Sequence, residues 1–235
     1  MTNTLPITET QEVKFRDARR VQESFLAGIE KRVLIAMAKR MPASINADHL
    51  TIVGFSAMVA AGAAYAIAPA WPAALLIVNV LLAINWFGDS LDGTLARVRD
   101  QQRPRYGYYV DHIIDALSSL FLFGGLALSG YMSERIATGM LLCYLLLAIQ
   151  SYLATHSLGV FSISWWKFSP TEMRILLAIG NTVAFFTPYT KILGPRMLFF
   201  DVAGVIAIAC MAVVLIVTVL RNTATLYKEE RIEAR

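Results

Sequence analysis

Residues 89–115 read DSLDGTLARVRDQQRPRYGYYVDHIID, a polar stretch between two long apolar runs. Four of its aspartates form two pairs, Asp89 with Asp92 and Asp111 with Asp115. The first pair stands near the end of one apolar run, and the second pair stands near the start of the next. Charged groups near hydrocarbon are costly, so they usually mark a function or have charged partners. This stretch therefore indicates how the chain is arranged and where its chemistry lies.

The sequence on either side of this stretch is strongly apolar. Of its 235 residues, 57% are hydrophobic and 16% are charged. Several runs reach the roughly 18 to 20 residues that cross a bilayer, more such runs than a soluble domain of this length needs. The sequence predicts an all-α polytopic membrane protein with six spanning helices, at Asp48–Ala68, Ala73–Arg99, Gly107–Gly130, Ile136–Thr155, Thr171–Thr187 and Met197–Leu220.

An amphipathic helix is predicted ahead of the first span, from Glu9 to Arg40. Its apolar residues recur at helical spacing among lysines and arginines, a pattern typical of a helix that lies on a membrane surface. A helix that contacts a soluble partner is the alternative. The predicted organisation is a cytoplasmic segment, a six-helix transmembrane domain and a cytoplasmic tail, at residues 1–46, 47–221 and 222–235.

The basic residues predict the orientation of the chain. If the N-terminus is cytoplasmic, 18 of the 21 lysines and arginines fall on that side, and three fall on the other. This asymmetry favours cytoplasmic termini and places the four aspartates at the cytoplasmic face. The formal net charge is +4, but the basic residues flank apolar runs. They therefore indicate topology and contact with anionic membrane lipids, and we expect no nucleic-acid partner.

Helical geometry places the residues of each half of the stretch on one face. The first face is bordered by Arg97 and holds Asp89, Asp92, Gly93 and Ala96. The second face holds residues that are each four apart, Gly107, Asp111 and Asp115. Because a short loop joins the two helices, we expect them to be antiparallel neighbours with their carboxylate faces meeting.

Four close carboxylates repel one another unless a cation lies among them, and one arginine is too little. Carboxylate oxygens suit Mg²⁺, Mn²⁺ or Ca²⁺, and Mg²⁺ is common where phosphates complete the coordination. Gly93 and Ala96 leave space beside such a metal, and Arg97 can pair with phosphate oxygens. The stretch therefore predicts a divalent-metal site for a diphosphate. The alternative, salt bridges between the aspartates and nearby arginines, does not explain the glycines or the spacing.

The stretch resembles the signature of the CDP-alcohol phosphatidyltransferase family, Asp-x2-Asp-Gly-x2-Ala-Arg-x8-Gly-x3-Asp-x3-Asp. Every specified residue is present, although nine residues rather than eight separate Arg97 from Gly107. The resemblance implies a metal site for Mg²⁺ or Mn²⁺, with two ions, formed by Asp89, Asp92, Asp111 and Asp115. It implies that Asp115 is also the general base. It implies a nucleotide and diphosphate site formed by Gly93, Ala96, Arg97 and Gly107.

The implied reaction transfers a substituted phosphate group from a CDP-activated donor to the hydroxyl of an acceptor alcohol, releasing CMP, in phospholipid biosynthesis. CDP-diacylglycerol is the favoured donor, with a small polar alcohol as acceptor. The alternative is a CDP-choline or CDP-ethanolamine donor with a diglyceride acceptor, because Thr171-Glu172 resembles a segment of those enzymes. A homodimer is expected from the resemblance.

Five residues outside the signature are candidates for the acceptor site: Arg103, Arg105, His156, Glu172 and Arg174. The two loop arginines suit an acceptor that carries a phosphate, and the alternative is that they bind anionic lipid. Glu172 lies where it can also serve as a helix-start residue. A lone histidine at a membrane interface is more often only tolerated there.

Two further classes of protein compete with this interpretation. An intramembrane prenyltransferase also uses aspartates, Mg²⁺ and a diphosphate, but its two motifs lie in well-separated helices. A cation transporter predicts carboxylates near the bilayer midplane, whereas these lie at helix ends.

Overall fold

The protein was analysed as a computed structural model that describes residues 19–21, 27–158, 160–162, 170–191, 194 and 196–231. Within these ranges the chain forms seven helices and four short strands. The helices are α1 (Ala27–Arg40), α2 (Ala47–Ile67), α3 (Ala74–Val98), α4 (Pro104–Leu128), α5 (Glu134–Leu158), α6 (Pro170–Phe186) and α7 (Phe199–Glu229). The strands are β1 (Arg19–Val21), β2 (Val160–Ser162), β3 (Tyr189–Lys191) and β4 (Arg196–Leu198).

Five of these helices are long and apolar enough to cross a membrane: α2, α3, α4, α5 and α7. The protein is therefore an all-α polytopic membrane protein, as the sequence predicted. Helix α6 matches the predicted fifth span but has only 17 residues, since it ends before Pro188. The sixth predicted span therefore depends on α6, whose length is at the low end of what crosses a bilayer. Helix α7 runs past Leu220, the predicted end of the last span, to Glu229.

The N-terminal helix is shorter than predicted. Helix α1 begins at Ala27, and residues 19–21 form strand β1, which pairs in parallel with β2. Pairing with a distant strand has overridden the local helical pattern here, because helix propensity is a weak preference beside tertiary contacts. The rest of the predicted helix before Ala27 lies outside the described residues. Within α1, Leu34 and Ala38 are buried against Leu91 and Leu95 of α3.

Helix α2 lies at the centre of the bundle, because small residues let its neighbours approach closely. A Cβ added to Gly88 of α3 would lie 2.5 Å from the carbonyl oxygen of Leu50. A Cβ added to Gly125 of α4 would lie 2.1 Å from the carbonyl oxygen of Gly62. Such contacts between small residues are a common way for membrane helices to pack.

A chain of neutral hydrogen bonds, here called the mid-bundle network, joins α2, α3 and α6. The Tyr65 hydroxyl donates to Asn181 Oδ1 at 2.6 Å, and Asn181 Nδ2 donates to Asn79 Oδ1 at 2.8 Å. Asn79 Nδ2 in turn donates to the Ala178 carbonyl and to Thr182 Oγ1, each at 3.1 Å. Tyr65 and Asn181 are fully buried. The network therefore joins α6 to α2 and α3 in the middle of the bundle.

Candidate active site

The two halves of the signature lie at the same end of the bundle. The sequence predicted that α3 and α4 would be neighbours through their carboxylate faces, and within the described residues both helices pack more on α2 than on each other. This is because glycines let α2 approach each of them closely. Across α2 the carboxylate side chains still converge.

They converge on a small cleft of about 10 Å³, here called the carboxylate cleft. Three of the four aspartates line it, Asp89, Asp111 and Asp115. The other lining residues come from the same three helices: Thr51, Gly54, Phe55, Asn85, Ile114 and Ser118. A cavity of this size is at the lower limit for holding one water molecule.

Asp89 pairs with Arg174 of α6. The guanidinium Nη2 donates to Asp89 Oδ2 at 2.5 Å, and Nε donates to Asn85 Oδ1 at 2.8 Å. The amide of Asn85 donates to the carbonyl of Gly54 at 3.1 Å, so the asparagine is held from both sides. Arg174 and Asp89 are mostly buried, with side chains 17% and 24% exposed. This pair brings one positive charge directly to the edge of the carboxylate cleft.

The other three aspartates differ in how they are held. Asp92 accepts a hydrogen bond from the Thr51 hydroxyl at 2.6 Å. Asp111 lies with Oδ2 3.5 Å from His112 Nδ1, and its side chain is half exposed. Asp115 is close enough to interact electrostatically with Asp89, Asp111, Arg174 and Asp92. Negative charge therefore exceeds the positive charge that Arg174 brings.

The donor set has the chemistry that Mg²⁺ or Mn²⁺ prefers, because it consists of carboxylate and amide oxygens. In the part of the chain that the structure describes, no three histidine, cysteine or acidic side chains are already arranged around one point as metal ligands. Asp89 is turned towards Arg174, and Asp92 is turned towards Thr51. The residue types fit a divalent ion, although these two carboxylates are engaged by other side chains in the structure.

A second and larger cavity, here called the loop cavity, lies beside the connection between α3 and α4. It has a volume of about 400 Å³ and is lined by Asn46, Ala47, Asp48, Leu95, Ala96, Gln101, Gln102 and Arg103. Of the residues predicted to bind nucleotide and diphosphate, Ala96 lines it, and Gly93, Arg97 and Gly107 do not. A Cβ on Gly93 would meet only the Arg97 guanidinium, at 3.5 Å or more, and one on Gly107 would meet nothing within 4 Å. Packing within the described chain therefore does not require either glycine.

The candidate acceptor residues are dispersed. Arg174 is at the carboxylate cleft, and Arg103 forms an ion pair with Asp48 at the loop cavity. Arg105 is exposed in the first turn of α4, His156 is exposed near the end of α5, and Glu172 is buried in the first turn of α6. The last three line neither cavity. Two of the five candidates are thus placed next to the predicted chemistry.

Sequence reasoning missed Asn85 and the glutamines of the loop cavity, Gln101 and Gln102. A signal for Asn85 was available: it is a polar residue within an apolar helix and lies four positions before Asp89, on the same face. The glutamines gave no signal because they follow Asp100, where the chain turns with a positive φ of 52°. Their placement depends on this turn, which the sequence does not specify.

Fold and site together define a polytopic helical membrane protein with a carboxylate cluster at one end of its bundle. No family model matches the chain. The chain is 32% identical over 111 residues to archaetidylinositol phosphate synthase of Methanothermobacter thermautotrophicus, a match that covers 47% of this chain and 52% of that enzyme. The chain thus spans about half the length of the curated relative it matches. That enzyme is a CDP-alcohol phosphatidyltransferase, so the resemblance carried by the signature is confirmed.

Proposed function

We propose that this protein is a CDP-alcohol phosphatidyltransferase of phospholipid synthesis. The observation that carries the proposal is the convergence of three signature aspartates, from α3 and α4, on one cleft. Asp115 interacts electrostatically with the other three aspartates, and Asp89 pairs with Arg174. Like charges gathered in one place repel one another, and a bound divalent cation would offset that repulsion.

The residues proposed to hold the metal are Asp89, Asp92, Asp111 and Asp115, with two Mg²⁺ or Mn²⁺ ions as the expected complement. Such ions neutralise the charge that develops on the transferred phosphate and orient the reacting oxygens. Thr51 donates a hydrogen bond directly to Asp92. Asn85 acts through Arg174, which donates both to Asn85 and to Asp89. A carboxylate fixed in this way loses less freedom when it binds a cation.

Asp115 is proposed as the general base. Its carboxylate takes the proton of the acceptor hydroxyl, and the resulting oxygen attacks the β-phosphorus of the donor. One oxygen–phosphorus bond forms while the bond from the β-phosphorus to the oxygen of CMP breaks, and CMP leaves. Asp115 suits this role because it faces the carboxylate cleft beside the other aspartates.

The loop cavity is proposed to take the nucleotide. Its volume of about 400 Å³ lies within the usual range for small-molecule pockets. It shares Ala96 with the signature, so a nucleotide there would have its diphosphate near Gly93 and Arg97. The amide groups of Asn46, Gln101 and Gln102 offer both donors and acceptors to a base and a ribose.

CDP-diacylglycerol, or a CDP-linked lipid of the same kind, is the proposed donor. The relative's name describes a synthase of an inositol phosphate lipid, and this makes a phosphorylated polyol the first acceptor to test. Arg103, Arg105 and Arg174 are the proposed cations for its phosphate, with His156 and Glu172 as further candidates. A cytoplasmic site, cytoplasmic termini and a homodimer remain part of the proposal.

The test is CMP release by the purified protein in detergent with Mg²⁺ and CDP-diacylglycerol. The acceptors are glycerol phosphate, inositol phosphate, inositol, serine and choline. We expect release that depends on one phosphorylated acceptor and disappears with EDTA. If no acceptor supports release, CDP-choline and CDP-ethanolamine with diglyceride are tested next. If those donors give no CMP release either, the proposed reaction is excluded and a cation transporter is favoured.

A further inference from the structure

Glu30 joins three helices and lies outside the signature. It belongs to α1, and its Oε1 accepts hydrogen bonds from Trp86 Nε1 of α3 at 2.7 Å and from Thr171 Oγ1 of α6 at 2.6 Å. These three residues are here called the Glu30 bridge. Through the bridge, a single carboxylate oxygen connects the N-terminal helix to both helices that form the Arg174–Asp89 pair.

The bridge lies about one helical turn from that pair on both sides. Trp86 precedes Asp89 by three residues on α3, and Thr171 precedes Arg174 by three residues on α6. Residues three apart lie on the same side of a helix. Glu30 therefore links α3 and α6 about one turn away from the Arg174–Asp89 pair.

Stability alone does not account for this arrangement. The second carboxylate oxygen of Glu30, Oε2, is buried and has no hydrogen-bond partner within the described ranges of the chain. A buried carboxylate oxygen without a donor is destabilising, and such groups are few in native proteins. A carboxylate with one buried oxygen left without a donor, one turn from the Arg174–Asp89 pair, is not what a purely structural contact requires.

We propose that Glu30 is a positioning residue for the carboxylate cleft. By holding the first turn of α6 against α3, it keeps the Arg174 guanidinium on Asp89, beside Asp115. It also couples the N-terminal helix to the site, so that a displaced α1 would loosen the pair. The proposal rests on the proposed function for its kinetic part, while its structural part stands independently.

The kinetic test compares Glu30→Ala, Thr171→Val and the double variant in the CMP-release assay. Two conservative variants, Glu30→Gln and Thr171→Ser, retain the bridging oxygen and hydroxyl. Lys31→Ala, an exposed neighbour on α1, is the control. Because a misplaced group near the reacting atoms slows the chemical step, we expect kcat to fall about tenfold in each single variant, with the donor KM within about twofold. The double variant should fall no further, since both changes break the same bridge.

Rescue distinguishes positioning from a general loss of folding. Glu30→Gln and Thr171→Ser should keep at least about half of the wild-type kcat, since each retains the bridging atom. An unchanged kcat in Glu30→Ala and Thr171→Val would overturn the proposal. So would additive losses in the double variant, or a failure of both conservative variants to restore kcat.

A measurement that does not need activity separates this proposal from the proposed function. Amide hydrogen exchange at residues 171–176, without substrates, should be faster in Glu30→Ala and Thr171→Val than in the wild type and Lys31→Ala. If the wild type releases no CMP with any donor, this exchange still reports on the bridge. Exchange that is the same in all four proteins overturns the bridge itself, whatever the activity.

Discussion

The mid-bundle network and the carboxylate cluster both place polar groups inside apolar helices, and they are built differently. The network is neutral, and the groups of Tyr65, Asn181 and Asn79 pair with one another. The cluster gathers four aspartates around Arg174 and leaves negative charge in excess. Neutral, well-paired hydrogen bonds hold membrane helices together, whereas unbalanced charge destabilises them. The comparison indicates that the network serves the fold and that the cluster serves the chemistry.

The largest expected effect is that of Asp115→Asn, which should remove activity and leave the fold intact. Loss of a general base lowers rates by about 10²- to 10⁴-fold. Because the change also removes one of four repelling charges, the thermal midpoint without metal should stay the same or rise. CMP release and a thermal melt of the same sample check both parts.

The matched control for this variant is Asp100→Asn. Asp100 is exposed, and asparagine tolerates its positive φ. Its activity should remain within about twofold of the wild type, as expected for an exposed residue away from the reacting groups. A comparable loss in Asp115→Asn and Asp100→Asn would contradict a special role for Asp115.

Arg174→Met is expected to lower both activity and stability, because it removes the cation that pairs with Asp89 beside the other aspartates. We expect CMP release to fall about 10- to 100-fold and the thermal midpoint without metal to drop. Added Mg²⁺ should raise the midpoint of this variant more than that of the wild type, since metal replaces the missing charge. Arg135→Met, an exposed arginine at the other end of the bundle, should show neither effect.

Asn181→Leu is expected to lower stability and leave activity nearly unchanged, the opposite of what is expected for Asp115→Asn. It breaks the hydrogen bonds to Tyr65 and Asn79, and so it should lower the free energy of unfolding by about 1–2 kcal/mol. The kcat should stay within about twofold below the melting range, because the network does not reach the carboxylate cleft. Thr187→Val is the control for the thermal melt, because it alters an exposed hydroxyl that donates to the Val183 carbonyl at the end of α6. A large loss of kcat at unchanged stability would erase the distinction between the two regions.

The smallest effect is expected for Arg103→Ala. The ion pair of Arg103 with Asp48 joins side chains that are 52% and 40% exposed, and such pairs contribute about 0–1 kcal/mol. The thermal midpoint should therefore hardly move. The acceptor KM should rise about fivefold, because the arginine is proposed to bind its phosphate. A change confined to the donor KM would instead assign Arg103 to the nucleotide.

The sequence predicted the spanning helices well because apolar runs with turn residues between them constrain a membrane chain strongly. Helices α2 to α6 begin and end within a few residues of the predicted bounds. The clustering of Asp89, Asp111 and Asp115 was also predictable, since each pair has helical spacing and the loop is short. Both predictions rest on local periodicity.

Contacts between elements that are distant in sequence were not predictable. Nothing local indicates that α2 lies between α3 and α4, since this depends on how Gly62 meets Gly125. Arg174 was chosen as an acceptor residue, and its pairing with Asp89 depends on how α6 docks. The pairing of β1 with β2 replaced part of a predicted helix for the same reason.

The central claim is that the aspartates of the carboxylate cluster bind divalent metal. Electron paramagnetic resonance of Mn²⁺ added to the purified protein tests it most directly, with Asp92→Asn and Asp115→Asn beside the wild type. If the aspartates bind divalent metal, the wild type should remove about two Mn²⁺ per chain from the free-ion signal, the number proposed for two-metal sites. Both variants should bind fewer ions or bind them more weakly, and Mg²⁺ should displace the bound Mn²⁺. A free-ion signal that the wild type does not reduce, or that the variants reduce equally, would show that these aspartates do not form the metal site.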